Sequence, residues 1–343
     1  MQKDSISENT DSKTSFGYHD GEVETVISVD DVNRQAQQLA ETVSLEKISG
    51  LVEGDPFLKI EDLNAGYGKM EILHEFNLQV GKGQSLCMIG PNGAGKSTVL
   101  HSIFGFTRIF SGQILSRIDD SEKDITQLSS SQKLKEAGIS YILQDNSVFP
   151  DMTVEENLLM GAYLKEDSDE VKQSVERIFE KYDRLKARRN KPARVLSGGE
   201  RRLLEISRAL VMEPNILLVD EPSIGLEPRF IDMVFEILDD LQRNEGKTIL
   251  MVEQNAKKGL EFCDIGYVLV SGNLAMADTG DKLLENPDVV GCFLAGKRGC
   301  LWDFHEITKR PQRYRPEFEA SSTGRVFLKL SPGFSHCSSC VPT

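Results

Sequence analysis

Gly90-Pro91-Asn92-Gly93-Ala94-Gly95-Lys96-Ser97 decides the fold, because it fits G-x-x-x-x-G-K-[ST] in the context that gives the pattern a physical meaning. An apolar run, Ser85–Ile89, precedes it and reads as a buried strand, and a helix is expected from Lys96. Glycines let backbone N–H groups wrap closely around phosphate oxygens that side chains would obstruct. Lys96 is then placed to reach the β- and γ-phosphates and the Ser97 hydroxyl to bind Mg²⁺. Thr98 follows in the same first turn and belongs to the same binding set, on a helix whose positive end faces those oxygens.

Working outward, Ile216-Leu217-Leu218-Val219-Asp220-Glu221-Pro222 reads as a strand buried on both faces and ended by two carboxylates. In an open α/β sheet, ligands lie at the carboxyl ends of strands. Asp220 is therefore expected to bind Mg²⁺, directly or through water, and Glu221 to orient or deprotonate an attacking water. Leu196-Ser197-Gly198-Gly199-Glu200 is a small-residue helix start suited to a second anion contact. A chain with a complete phosphate loop has little use for it in cis, so it is read as addressing the nucleotide on another copy of the domain.

Between Phe57 and Gly296, short β-like runs alternate with helical stretches, which predicts a largely parallel sheet flanked by helices. Two extended runs, Phe57–Tyr67 and Glu71–Val80, flank a Gly-Tyr-Gly turn. Further strands are expected at Ile139–Leu143, Asn215–Val219, Thr248–Val252 and Tyr267–Val270. Helices are expected at Thr153–Leu164, opened by a Thr153/Glu156 capping box, at Asp169–Tyr182, from Gly199 to Met212 and at Arg229–Arg243. The strandless block 150–212 reads as a helical lobe.

The chain of 343 residues carries 40 basic and 54 acidic side chains, net −14, which speaks against nucleic acid as its ligand. No apolar run approaches the roughly 18 residues of a spanning helix, and no secretory signal is visible. Residues 1–56 form an acidic arm, net −8, read as mostly solvated and disordered, with a short docking helix from Val29 to Ile48, capped by Ser28 and Asp31, as the rival. Residues 297–343 form an irregular basic tail, net +4, read as disordered or as non-native coding sequence. The tail holds Cys337 and Cys340, at best half a zinc site beside His336. Cys87, Cys263 and Cys292 read as buried small side chains. Arg184, Lys186, Arg188, Arg189, Lys191 and Arg194 read as a solvated linker, with attraction of ATP or lipid headgroups as the rival.

Taken together, these motifs resemble the ATP-binding subunit of an ABC transporter over residues 57–296. The resemblance implies a P-loop NTPase of the ABC type: a mixed sheet with flanking helices, an antiparallel β subdomain and the helical lobe. It implies that Tyr67 stacks on adenine, that Gln144 contacts Mg²⁺ and water and reports nucleotide state, that Leu196–Glu200 is the signature motif, and that Ser223–Pro228 crosses a dimer interface. The switch position, usually histidine, is Gln254, which can donate a hydrogen bond but carries no titrating proton. The usual aspartate of the crossing loop is Glu227. Val252–Ala256, Gly266-Tyr267-Val268-Leu269, Thr279-Gly280-Asp281 and Phe149–Leu158 resemble the branched-chain amino acid importers of the LivF type, with urea and amide relatives.

The implied assembly pairs this chain with itself or a sister subunit around two ATP molecules. It drives transmembrane permease subunits from the cytoplasmic face of the inner membrane, and a periplasmic substrate-binding protein acts with them indirectly. The residues after Gln144 and the helix Thr153–Leu164 are the implied permease contact. A low-turnover ATP-binding regulatory module, suggested by Gln254, and a soluble ABC ATPase of DNA repair or translation are the readings from other classes.

Overall fold

Runs such as Ile216–Asp220 and Thr248–Val252 have no polar face to show to water, and they form strands buried along their whole length. The computed structural model describes residues 43–119, 121–144 and 147–290, with two short strands at 317–320 and 326–329. A short helix, α1 (Leu45–Ser49), precedes a hairpin of β1 (Pro56–Tyr67) and β2 (Met70–Gly81). β3 (Ser85–Ile89) runs into α2 (Lys96–Phe104), followed by β4 (Arg108–Ile118), β5 (Ser121–Asp124), α3 (Ser130–Lys135) and β6 (Ile139–Ile142). The lobe contributes α4 (Val154–Gly161), α5 (Ser168–Lys181), α6 (Asp183–Lys186) and α7 (Gly198–Leu210). β7 (Ile216–Asp220), α8 (Pro228–Arg243), β8 (Thr248–Val252), α9 (Ala256–Phe262), β9 (Ile265–Val270), β10 (Asn273–Thr279) and α10 (Gly280–Glu285) complete the body.

The main sheet has the order β10-β9-β3-β8-β7-β6. β9, β3, β8, β7 and β6 are parallel neighbours, and β10 joins antiparallel to β9. The second sheet, β2-β1-β4-β5, is antiparallel throughout. The mixed sheet, the antiparallel subdomain and the lobe are thus as expected.

The period-two alternation of the strands divides the core in two. Cys87, Ile89, Leu217, Val219, Ile249 and Met251 pack with the lobe side chains Leu158, Phe179, Leu203 and Ile206 and with Val234 and Leu238 of α8. Their neighbours Leu86, Met88, Ile216, Leu218, Leu250 and Val252 pack with α2 and the antiparallel sheet through Val99, Ile103, Leu58, Ile60, Leu73 and Phe76. One slip in register would exchange these two sets, so the pattern fixes the pairing that brings β3 and β7 into one sheet.

Several expectations are corrected. A helix over Val29–Ile48 is not continuous: Ser44 has an extended backbone (φ −71°, ψ 149°) and caps a new helix at Leu45. The rest of that expected helix, with Ser28 and Asp31, lies outside the described residues. Ile48 is buried in the core, and Gln84 accepts from Glu53 N and donates to Leu51 O, so packing begins before residue 56. β4, β5, α3, α9 and β10 were not expected from the sequence. In the tail, Glu317–Ala320 and Val326–Lys329 pair antiparallel, where no period had shown. His336, Cys337 and Cys340 lie outside the described residues, as does Cys292, whereas Cys87 and Cys263 are buried free thiols as expected. No helix among the described residues is long and apolar enough to cross a membrane.

The basic run before the signature is mostly exposed, as expected of a solvated linker, but three of its arginines are ion-paired. Arg189 pairs with Glu155 and Glu176 and lies over the Phe179 ring, and Arg194 pairs with Asp151. Arg188 lies 3.7 Å from Glu200. These arginines tie the strandless segment to α4, α5 and α7.

Candidate functional site

The phosphate loop is the turn between β3 and α2, at the carboxyl end of the sheet. Gly90 has φ 152°, and a Cβ there would come within 2.3 Å of the Leu269 carbonyl oxygen, so only glycine fits. Gly93 and Gly95 are also left-handed, and Gly95 is the N-cap of α2. No side chain caps that helix end, which leaves its first N–H groups directed at the loop. Pro91 is half-buried, Asn92 and Gly93 form the exposed turn of the loop, and Ala94 is buried with its N–H on the Pro91 carbonyl. Lys96 is buried and folds back, Nζ donating to Gly90 O at 2.9 Å and Pro91 O at 3.0 Å. Burial lowers its pKa, against the opposing pull of Glu221 and Asp220.

β7 delivers its two carboxylates beside this loop. The Ser97 hydroxyl donates to Asp220 Oδ1 at 3.1 Å, and Thr98 lies buried in the same turn. Glu221 adopts φ 43°, a left-handed conformation costing a β-carbon residue about 1–3 kcal/mol and typical of functional sites. Its N–H is held by the Val252 carbonyl at 2.9 Å. Its carboxylate accepts from Gln144 Nε2 at 2.8 Å and from Gln254 Nε2 at 3.0 Å to each oxygen. Residues separated by 77 and 33 positions thus converge on one buried carboxylate.

Tyr67 closes β1 at the hairpin and is partly exposed, its hydroxyl hydrogen-bonded to His101 Nδ1 on α2. Burial raises the pKa of the Tyr67 hydroxyl and lowers that of His101. Ser197 and Gly198 are exposed at the start of α7. There Ser197 Oγ accepts from Glu200 N at 3.3 Å, and Glu200 Oε2 accepts from Ser197 N at 2.9 Å. That backbone N–H holds the Glu200 carboxyl below its ordinary range. Gly199 is enclosed: a Cβ would lie 2.2 Å from Cδ1 of Phe230. The crossing loop is anchored by Ser223, whose hydroxyl donates to buried Glu253 at 2.7 Å. Glu227 is the N-cap of α8 without a side-chain cap bond and lies 3.0 Å from Arg229.

The structure therefore joins Lys96, Ser97, Asp220, Glu221, Gln144 and Gln254 in one site. Ser197, Gly198, Gly199 and Glu200 stand apart from it on α7, bonded among themselves and to the lobe. Sequence reading missed four supporting groups. The Tyr141 hydroxyl donates to Asp220 Oδ2 at 2.8 Å, and burial followed by the Asp220 charge raises its pKa, so it stays a donor. Arg202, on the buried face of α7, donates to Leu143 O and Glu205 at 2.8 Å each. It thereby ties the signature helix to the approach to Gln144. His101 and Glu253 are the others. A buried Arg–Glu pair at i,i+3 was a usable signal; Tyr141 had none without the strand order.

This fold and this set of groups define an ATP-binding cassette. The chain matches the ABC transporter family over residues 73–224. It is 41% identical over 239 residues to the high-affinity branched-chain amino acid transport ATP-binding protein BraG of Pseudomonas aeruginosa, covering 70% of this chain and all of that one. To a protein of Archaeoglobus fulgidus named as a probable branched-chain amino acid transport ATP-binding protein LivF it is 39% identical over 229 residues, covering 67% and 94%. A solved ATP-binding cassette of an ABC transporter in its ADP conformation aligns with a TM-score of 0.61 and 28% identity, over 71% of this chain and all of the other. The chain belongs to the ABC transporter ATP-binding proteins, a family of nucleotide-binding P-loop ATPases.

Proposed function

We propose that this chain is the ATP-hydrolysing subunit of an ABC importer for branched-chain amino acids. The observation that carries the catalytic part is the Glu221 carboxylate, held by Gln144 and Gln254 beside Lys96 and Ser97. The similarity to BraG and LivF, running nearly the full length of both, supports the substrate class.

The loop Gly90–Gly95 offers its N–H groups to the phosphates, and Lys96 exchanges its two loop carbonyls for phosphate oxygens. The Ser97 hydroxyl and the Asp220 carboxylate are hard oxygen donors 3.1 Å apart, which fits Mg²⁺, and Gln144 is within reach of the same site. Ser97 and Asp220, with Gln144, would hold a Mg²⁺ ion there, which would supply positive charge to offset that developing on the phosphate oxygens. Tyr67 offers its ring to adenine. Glu221 accepts the proton of the attacking water, and the two glutamine amides orient its carboxylate. Gln254 donates a neutral hydrogen bond toward the γ-phosphate.

Ser197–Glu200 faces the nucleotide of a second ATP-binding subunit, either this chain again or a sister. The N–H groups at the start of α7 supply the anion contact. The permease contact is the cavity of about 390 Å³ lined by Phe149, Met160, Tyr163 and Arg208. Its apolar rim is exposed, with Tyr163 at 63%, and Asn157 pins the loop Phe149–Thr153 that frames it. Such a subunit is membrane-associated through its partners, at the cytoplasmic face of the inner membrane.

The test is co-purification with the permease subunits from the same source and reconstitution in liposomes. Leucine uptake that requires ATP, and ATP turnover stimulated by loaded periplasmic binding protein, are expected. Urea or amide uptake without leucine uptake would replace the substrate. Turnover without any permease association would overturn the transport role.

A further inference from the structure

Both oxygens of Asp220 are engaged, by partners of different kinds. Oδ1 accepts from Ser97, the neighbour of Lys96 in the phosphate loop, at 3.1 Å; Oδ2 accepts from the Tyr141 hydroxyl at 2.8 Å. Asp220 is only 4% exposed, so this bond to Oδ2 is made where water is largely excluded. Tyr141 reaches it because β6 lies next to β7, with Tyr141 opposite Leu218.

The Tyr141 ring is itself held from several directions. His101 and Phe106 lie edge-on at 5.7 and 5.9 Å, and Phe104 is tilted at 5.6 Å. His101 and Phe104 belong to α2, the helix that begins at the phosphate loop, and His101 also bonds Tyr67. Tyr141 and Phe104 line the 390 Å³ cavity as well. One tyrosine therefore touches the lobe-side groove with its ring and the carboxylate with its hydroxyl.

We propose that Tyr141 is a positioning residue that fixes the rotation of the Asp220 carboxylate, holding Oδ2 so that Oδ1 remains on the Ser97 side for Mg²⁺. The torsion of an aspartate carboxylate is broad and two-fold, so with the Ser97 bond alone the group turns more freely about Oδ1 and holds that oxygen toward the ion less of the time. Tyr141 does not touch nucleotide or metal; it acts through Asp220. The inference rests on the ATPase reading above for the identity of the ion.

The experiment is Tyr141→Phe in the full chain, which keeps the ring among its neighbours and removes only the hydroxyl. Equilibrium binding of a fluorescent ATP analogue is measured in Mg²⁺ and in EDTA, together with Mn²⁺ binding followed by electron paramagnetic resonance at saturating ATP. Affinity in EDTA should stay within about twofold, because the loop and α2 are untouched. The gain in affinity on adding Mg²⁺, and the Mn²⁺ affinity, should each fall about three- to tenfold, the size of one typical net hydrogen bond, because the bond acts on the ion only through the carboxylate's orientation. Equal losses with and without Mg²⁺ would make Tyr141 a packing residue and overturn the proposal. An unchanged Mg²⁺ dependence would overturn it while leaving the ATPase reading intact. Failure of the unmutated protein to bind ATP would overturn both.

Discussion

At Glu221, one carboxylate receives two amide donors that the chain brings from either side of it: Gln144 after β6 and Gln254 after β8. Both donors are neutral at every pH, so neither adds a titration to the rate. Replacing Gln254 by histidine places an imidazole there, with an unperturbed pKa of about 6.5. The pH–rate profile of ATP hydrolysis by Gln254→His should gain an inflection between about pH 6 and 7 that the unmutated enzyme lacks. Superimposable profiles would show that residue 254 does not face the reacting phosphate. The left-handed backbone of Glu221 belongs to the same scale, since it holds the residue whose carboxylate meets both amides.

Among the elements, α7 shows how packing and chemistry share a helix. Its exposed start presents Ser197 and Gly198, whereas Gly199 turns inward against Phe230 of α8. Gly199→Ala forces that ring aside, because the two atoms would be 2.2 Å apart. It should destabilise the protein by about 1–3 kcal/mol, the usual cost of overpacking, read as a lower denaturant midpoint. Phe230→Leu in the same chain should recover most of the loss. If the double variant is no more stable than the single one, Phe230 is not what excludes a side chain at position 199.

Across the whole molecule, stability carries a signature of one buried cation. Lys133 on α3 is fully buried under the end of α2, donating to Ser102 O at 3.4 Å, and burial pushes its pKa down to about 8. Below pH 8 the folded protein holds it charged at a cost. Between about pH 8 and 10.4 it is neutral when folded and still protonated when unfolded, so stability rises with pH across that window. Relative to Lys133→Met, the unmutated protein should gain about 3 kcal/mol between pH 7.5 and 10.5, measured by denaturant titration. A constant difference between the two would place the charge in water.

How much of this was legible in the sequence follows from where each signal resides. The phosphate loop, Asp220-Glu221 and the Thr153/Glu156 capping box are contiguous, and each local pattern carries its own geometry, so they were found where they stand. β4 escaped because its burial pattern has no alternation: its first six residues are mostly exposed around Gly112, and only Ile114–Ser116 are buried. Tyr141 and His101 escaped for another reason. Their partners lie 79 and 34 residues away, and only the order β8-β7-β6 and the course of α2 past the hairpin bring them together. The helix expected from Val29 failed at Ser44, where a side-chain cap on Lys47 N outweighed the apolar period.

The central claim is that Glu221 makes this cassette an ATPase. ATP hydrolysis by the unmutated chain, assembled with its permease, is to be compared with Glu221→Gln under identical conditions, with nucleotide binding checked in both. The expected result is a fall in rate of roughly 10²–10⁴-fold with ATP affinity retained. An unmutated protein that hydrolyses ATP no faster than Glu221→Gln would contradict it and leave an ATP-binding regulatory module in its place.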